Sequence, residues 1–232
     1  METMQNGSQT TRLVGEFFNK LTPEALKDLS AMAVAVKCPA GKVVFSEKDS
    51  AANIYIVIDG EIKLSMNSSD GRRLILRIAR KGEILGLASA LSGKPSEITA
   101  ETLYPAQLAQ IYRRDFTNFL MRHPEVYQVV SEELGRDYSM ACEQLRTVGL
   151  SNSAPEKLAR LLLEWSRHGK TTPAGTHLRF PLTHGEIGEF IGASRETVTR
   201  TLSIFKSRHL VDLHGSTLTI HSKRALEAYA GF

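Results

Sequence analysis

The sequence predicts an α+β chain with a small antiparallel barrel first, a long helix next and a winged helix-turn-helix last. Three observations predict it. Between residues 36 and 111 short apolar runs alternate with turn signals. From 124 to 148 apolar residues recur at helical spacing. From 183 to 207 a capped helix, a glycine turn and a second helix follow one another, with two short strand patterns behind them. The expected domains are 13–123, a dimerisation helix over 124–150, and 151–232.

Residues 1–12 are polar and aperiodic, and are expected to be mobile. A helix is expected to begin at Thr22-Pro23-Glu24. Thr22 can cap it, Pro23 suits the first helical position and Glu24 complements the helix dipole. The barrel strands read KVVF, NIYIVI, GEIKLSM, RLILRI and QLAQIY. Asp59-Gly60 and Asp70-Gly71 supply hairpin signals between them. Tyr55, Val57, Ile62, Leu64, Leu74, Leu76 and Ile78 are the expected packing residues. A small barrel without a catalytic constellation is usually a binding module.

The long helix carries Val126, Val130, Leu134, Tyr138, Ala141, Leu145 and Val148 at steps of 4, 4, 4, 3, 4 and 3. That spacing is close to a coiled-coil seam. It suits a parallel dimer, or packing of the helix on its own barrel. A break at residues 149–155 separates this helix from another amphipathic one, on which Leu158, Leu161, Leu162 and Trp165 share a side.

Charge is distributed unevenly. Residues 1–150 contain 18 Lys/Arg and 18 Asp/Glu, whereas residues 151–232 contain 11 and 7 and so carry the whole net charge of +4. Six of the seven histidines also lie there. A basic C-terminal third suits a polyanionic partner. Enzyme signatures are missing: there is no glycine-rich phosphate loop, nucleophile elbow or His/Cys metal spacing. No run of 18 apolar residues and no leader pattern occur, so the cytoplasm is the expected compartment. Cys38 and Cys142 form neither a disulfide framework nor a zinc motif.

The strongest signal is at 183–207. Thr183 stands three residues before Glu186, a capping-box spacing. Gly192 occupies the turn, Gly188 is small where two helices must cross, and Ser194 can cap the second helix. Ile187, Ile191, Val198, Leu202 and Phe205 would form the shared core. On the second helix Arg195, Glu196, Thr199 and Arg200 fall in the N-terminal half. Guanidinium groups can donate twice to guanine, and a carboxylate can accept from cytosine N4. Thr183, Ser194, Thr197, Thr201 and Lys206 are candidate phosphate contacts. A hairpin at 210–220 would be the wing. The expected partner is double-stranded DNA.

Over residues 21–220 the chain resembles the catabolite activator/fumarate-nitrate regulator (CRP/FNR) family. EIGEFIGASRETVTR at 186–200 carries the resemblance most strongly, supported by IYIVIDGEIKL at 54–64 and KGEILG at 81–86. The resemblance implies a cyclic-nucleotide-type β-roll, a long dimer helix and a C-terminal winged helix. It also implies a homodimer that recruits RNA polymerase and reads half-sites similar to TGTGA. Arg195, Glu196 and Arg200 then become the base readers. Thr199 stands where catabolite activators have glycine.

The sensor departs from the family's nucleotide pattern. Aligned without gaps, Leu87 falls where that pattern has the ribose carboxylate, after Gly86. Glu97 falls at the phosphate arginine and Ile98 at the hydroxyl; Thr99 could slide into that role, but no arginine precedes it. A carboxylate repels a phosphate, and the bidentate arginine is not replaced. Cys142 and Glu143 lie on the long helix where the family lets the sensor meet its effector. No N-terminal cysteine cluster exists for an iron–sulfur centre, and no histidine precedes His123 to ligate sensor-domain haem. The expectation is a regulator controlled by a small molecule other than cyclic AMP. The alternatives are an atypical cyclic-nucleotide site and an effector-independent DNA binder.

Overall fold

The computed structural model describes residue 13 and residues 15–231. The stretch 1–12 lies outside the described residues. The chain divides into two units. One contains the residues up to Met66 together with Arg77–Ser139; the other contains Asn67–Leu76 and everything from Met140.

The first unit opens with α1 (Glu16–Asn19) and α2 (Pro23–Met32). Thr22 caps α2, its side chain accepting from Ala25 N–H, and Pro23 fills the first turn. Strands β1 (Val34–Cys38), β2 (Val43–Phe45), β3 (Asn53–Asp59), β4 (Ile62–Asn67), β5 (Arg73–Ala79) and β6 (Ile84–Leu85) follow. Then come α3 (Leu87–Ser92), β7 (Thr99–Thr102), β8 (Ala106–Tyr112), α4 (Arg113–Arg122) and the 25-residue α5 (Val126–Leu150). The strands form two four-stranded sheets, ordered β1-β8-β3-β6 and β2-β7-β4-β5.

The period-2 pattern of β3 explains why the roll has two cores. Ile54 and Ile56 face Leu29, Phe116, Phe119 and Val126 of the helices. Val57 and Tyr55 face the other way, onto Ile62, Leu64, Ala100 and Leu108 inside the roll. The two Asp-Gly pairs do different work. Asp70-Gly71 closes a true hairpin between β4 and β5, with Ser68 N–H donating to Arg72 O at 2.8 Å. Asp59-Gly60 joins strands of different sheets and is a corner, not the hairpin its composition suggests. Gly60 has φ 95°, and a Cβ there would sit 2.7 Å from the Ala106 Cβ. Of the expected packing residues, Val57, Ile62, Leu64 and Ile78 are buried; Tyr55, Leu74 and Leu76 are partly so, and Ile75 is fully enclosed instead.

The apolar stripe of α5 is split. Val126 and Val130 are each 1% exposed and belong to the helix-facing core of their own unit, with Leu134 packed against it. Val126 and Val130 are therefore enclosed in their own unit and cannot belong to a dimer seam. Tyr138 and Leu145 are 73% and 66% exposed, Ala141 is exposed, and Val148 is partly buried. Polar groups anchor the first half of the helix. Arg77 bridges Glu83 and Asp137, the latter at 2.7 Å, and Arg136 reaches both Glu16 and Glu133 at 3.3 Å. Burial pushes the Asp137 and Glu133 carboxyls above the usual carboxylate range, with the neighbouring arginines opposing it.

In the second unit the end of α5 is followed by α6 (Ala154–Trp165), capped by Ser153, and a short 3₁₀ turn at Ser166–His168. Next come β9 (Lys170–Thr172), β10 (Gly175–Arg179), α7 (His184–Ile191), α8 (Arg195–Ser207), β11 (Val211–His214), β12 (Thr217–Ile220) and α9 (Lys223–Ala230). The sheet order is β11-β12-β10-β9. Residues 170–172 form a strand where composition suggests loop, because Thr171 and Thr172 pair with β10 through a tight Pro173-Ala174 turn. Trp165 is the hub of the core, its ring 4.7 Å from Phe180 and 6.4 Å from Phe190, both edge-on. Gln144, 9% exposed, spends both amide hydrogens on backbone carbonyls: Phe190 at 2.7 Å and Ile75 at 2.8 Å. That fixes α7 to the end of α5 and to the tip of the β4–β5 hairpin.

Candidate nucleic-acid interface

The reading unit is built by local rules. The Thr183 hydroxyl accepts from Glu186 N–H at 3.2 Å, while the Glu186 carboxylate accepts from Thr183 N–H at 3.0 Å. This reciprocal box satisfies two otherwise unpaired donors at the start of α7. The helix stops at Gly192, which takes φ 64°. Gly188 is required by crowding: a Cβ there would lie 2.5 Å from Ala193 O. Ser194 then caps α8 through Thr197 N–H.

Helix α8 has one apolar and one polar side. Val198, Leu202 and Phe205 are buried against the rest of the unit. Glu196, Thr199 and Arg200 are exposed on the other side, and Arg195 is exposed at the start of the helix. The Glu196 carboxyl is held below its usual range by its own backbone N–H and the Ser194 hydroxyl, so near neutral pH it is an acceptor.

The expected phosphate contacts divide. Thr183, Ser194 and Lys206 are exposed, and Thr197 is partly buried with its hydroxyl 3.1 Å from that of Ser194. Thr201 is 2% exposed and donates to Thr197 O at 2.8 Å. It lies on the core side of α8 and cannot reach phosphate. The wing follows as expected: β11 and β12 turn at Gly215, with φ 59°. The His221–Asp212 pair, at 2.9 Å, closes its base. His221 is held above its usual range by that bond, and Asp212 below.

Two features of this unit escape a reading of the motif. Helix α9 packs on α6 and lends Tyr229 to Phe205 and Arg208. The His184 Nδ1 on α7 and the Thr199 hydroxyl on α8 lie 2.8 Å apart, a hydrogen bond between the two helices. The motif spacing names each helix separately, so a bond between them is visible only in three dimensions.

In the sensor roll the expected effector residues do not converge. Leu87 is 1% exposed and sits in the helix-facing core, so it lines no site. Glu97 is exposed, Ile98 packs against the roll interior and the Thr99 hydroxyl accepts from Glu47 N–H. Cys142 is partly buried and Glu143 exposed, both in the second unit. A cavity of about 260 Å³ does open in the roll, but of the expected residues only Gly86 borders it. Phe45 and Tyr55, stacked at 5.9 Å, form its aromatic wall, and Asn53, Ser89 and Ser96 are polar. Among the described residues Asp49 is the only charged one lining it. Two backbone bonds, Lys48 N–H to Ser96 O and Ser96 N–H to Asp49 O, brace its rim.

Comparison with known proteins agrees with both halves of this geometry. Residues 156–229 match the Crp-like helix-turn-helix domain and residues 35–123 the cyclic nucleotide-binding domain. A CRP-like cAMP-activated global transcriptional regulator of Mycobacterium tuberculosis is 26% identical, over 90% of this chain and 93% of its own. The nitrogen fixation regulation protein FixK of Bradyrhizobium diazoefficiens is 28% identical, over 88% of this chain and 82% of its own. In fold, the chain is similar to the c-di-GMP responsive regulator CLP of Xanthomonas campestris, with a TM-score of 0.76, 21% identity, and coverage of 87% and 100%. None of these relatives is named as an enzyme. A nucleotide-type sensor roll and a Crp-like reading head, in this order on one chain, mean that the protein belongs to the CRP/FNR family of DNA-binding transcription regulators.

Proposed function

We propose that the protein is a cytoplasmic homodimer that reads palindromic, TGTGA-like DNA sites in sequence-specific fashion and works with RNA polymerase at promoters. The observation that carries this reading is the exposed set Arg195, Glu196 and Arg200 on a capped helix whose other side is buried. Two such helices, related by a two-fold axis, would enter successive major grooves roughly 34 Å apart. The exposed outer side of α5, with Tyr138, Ala141 and Leu145, is the surface proposed to meet the second copy.

The proposed effector is a small molecule other than cyclic AMP. The M. tuberculosis relative is named for cAMP activation, but the phosphate-binding chemistry is missing from this roll. Leu87 is buried, Glu97 replaces the arginine, and the one charged residue lining the cavity is an acid. An anionic phosphate entering there would meet repulsion with no paired cation. The cavity suits a compact molecule without a phosphate, held against Phe45 and Tyr55.

A gel shift on a TGTGA palindrome and on a scrambled duplex tests the DNA reading, with preference for the palindrome expected. Equal affinity for both would sink it. Cyclic AMP should leave both that affinity and the Tm unchanged; clear stabilisation would overturn the assignment of Leu87 and Glu97.

A further inference from the structure

We propose that Thr199 reads a thymine through its methyl group, and that His184 is the positioning residue that makes it do so. The inference rests on the proposal that α8 is the base-reading helix, and it assigns a specificity to one position on it.

The hydrogen bonds of the Thr199 hydroxyl carry the argument. A hydroxyl has one hydrogen to give. That hydrogen goes to Arg195 O, at 2.9 Å, one turn back on the same helix. The Nδ1 of His184 lies 2.8 Å from the same oxygen. Both bonds can form together only if Nδ1 carries a proton and donates it. The oxygen is then drawn back toward its own preceding turn and across to α7. Threonine in a helix ordinarily divides between two rotamers, because its hydroxyl gains from bonding the i−4 carbonyl in only one of them. The cross-helix bond from His184 favours the rotamer that keeps the oxygen inward.

What this leaves outward is decided by the substituents of the Thr199 Cβ. With the oxygen committed on two sides, the γ-methyl is the remaining heavy atom at an exposed position, beside Glu196 and Arg200. The neighbouring hydroxyl residues do not share this arrangement. Thr201 makes the same backbone bond but is buried, and the hydroxyl of Ser203, which donates to Thr199 O, has no methyl beside it. In the major groove an apolar methyl distinguishes thymine by contact with its C5-methyl.

The test uses the full chain and the palindrome it selects from a randomised duplex pool. Each symmetric pair of thymines is replaced in turn by deoxyuridine, which removes only the C5-methyl. For the wild type, one thymine pair should lose roughly fourfold in affinity per half-site, the worth of about one buried methyl. Thr199→Ser should bind the thymine and deoxyuridine duplexes equally. His184→Ala should lose most of the discrimination at that position and at no other. His184→Asn, whose amide N–H can stand where Nδ1–H stands, should restore it.

Insensitivity of every thymine to loss of its methyl would overturn the proposal, as would discrimination that survives Thr199→Ser. Discrimination intact in His184→Ala would overturn the role of His184. A wild type that selects no sequence would sink the base-reading proposal itself, a different result from sequence preference without methyl sensitivity.

Discussion

Helix α8 and the sensor roll handle charge in opposite ways. On α8 the guanidinium groups of Arg195 and Arg200 are exposed on the surface of the helix. In the roll, charged side chains are tied to one another: Arg77 to Glu83 and Asp137, Arg80 to Glu61, Lys63 to Glu101, and Arg122 and His123 to Asp28. A reading surface must keep its donors available, and it can do so because the stability of the unit comes from the apolar back of the helix. The roll has a different task. It must hold the first half of α5 at a fixed place, and charge-assisted hydrogen bonds are directional where apolar contacts are not.

The largest expected effect breaks the comparison on the roll side. Arg77→Met leaves the partly exposed Asp137 and Glu83 without their shared cation, and should destabilise the protein by about 2 kcal/mol in denaturant unfolding, between the values for surface and buried pairs. If stability were unchanged, the roll's charges would be as dispensable as surface charges. On the reading side Arg200→Ala should leave the Tm within error of the wild type, yet lower specific DNA affinity by roughly 10- to 100-fold. A large fall in Tm would mean that Arg200 is structural, and the contrast between the two regions would fail.

The smallest effect concerns the His221–Asp212 ion pair of the wing. His221 is raised by Asp212, so its share of stability is fully present below the unfolded value near 6.5 and disappears as pH rises through its folded value. Asp212 is lowered, so its share is present above its unfolded value and disappears in acid. The difference in Tm between the wild type and His221→Ala should therefore be greatest between those limits and shrink towards alkaline pH. A difference that grew with pH would contradict the pairing.

The sequence is legible where function or folding depends on neighbours along the chain. Thr22, Thr183 and Ser194 all cap the helices that follow them, because a cap involves residues only three apart. Gly188 and Gly192 read correctly for the same reason. Arg195, Glu196, Thr199 and Arg200 are exposed on one helix because Val198, Leu202 and Phe205 fix its orientation. Legibility ends where partners are distant. Arg77 and Asp137 are 60 residues apart, and no pattern in either segment announces the other. The α5 stripe shows the limit most clearly. Its periodicity marks a helix, but Val126 and Val130 satisfy the same spacing by packing on their own roll. The alignment of Leu87 and Glu97 with a nucleotide site identifies what chemistry is lost, while the cavity is lined by Phe45, Asp49 and Tyr55, none of them among the residues that alignment singles out.

Binding to a panel of duplexes, in which each half-site base pair is varied in turn, decides whether α8 reads bases. Wild type, Glu196→Ala and Lys206→Ala are compared. The prediction is that Glu196→Ala flattens the preference at one base pair and leaves the others, whereas Lys206→Ala weakens every duplex alike and reduces the salt slope by about one unit. If Glu196→Ala instead changed affinity uniformly across the panel, with no position losing its preference, α8 would not be reading bases through Glu196.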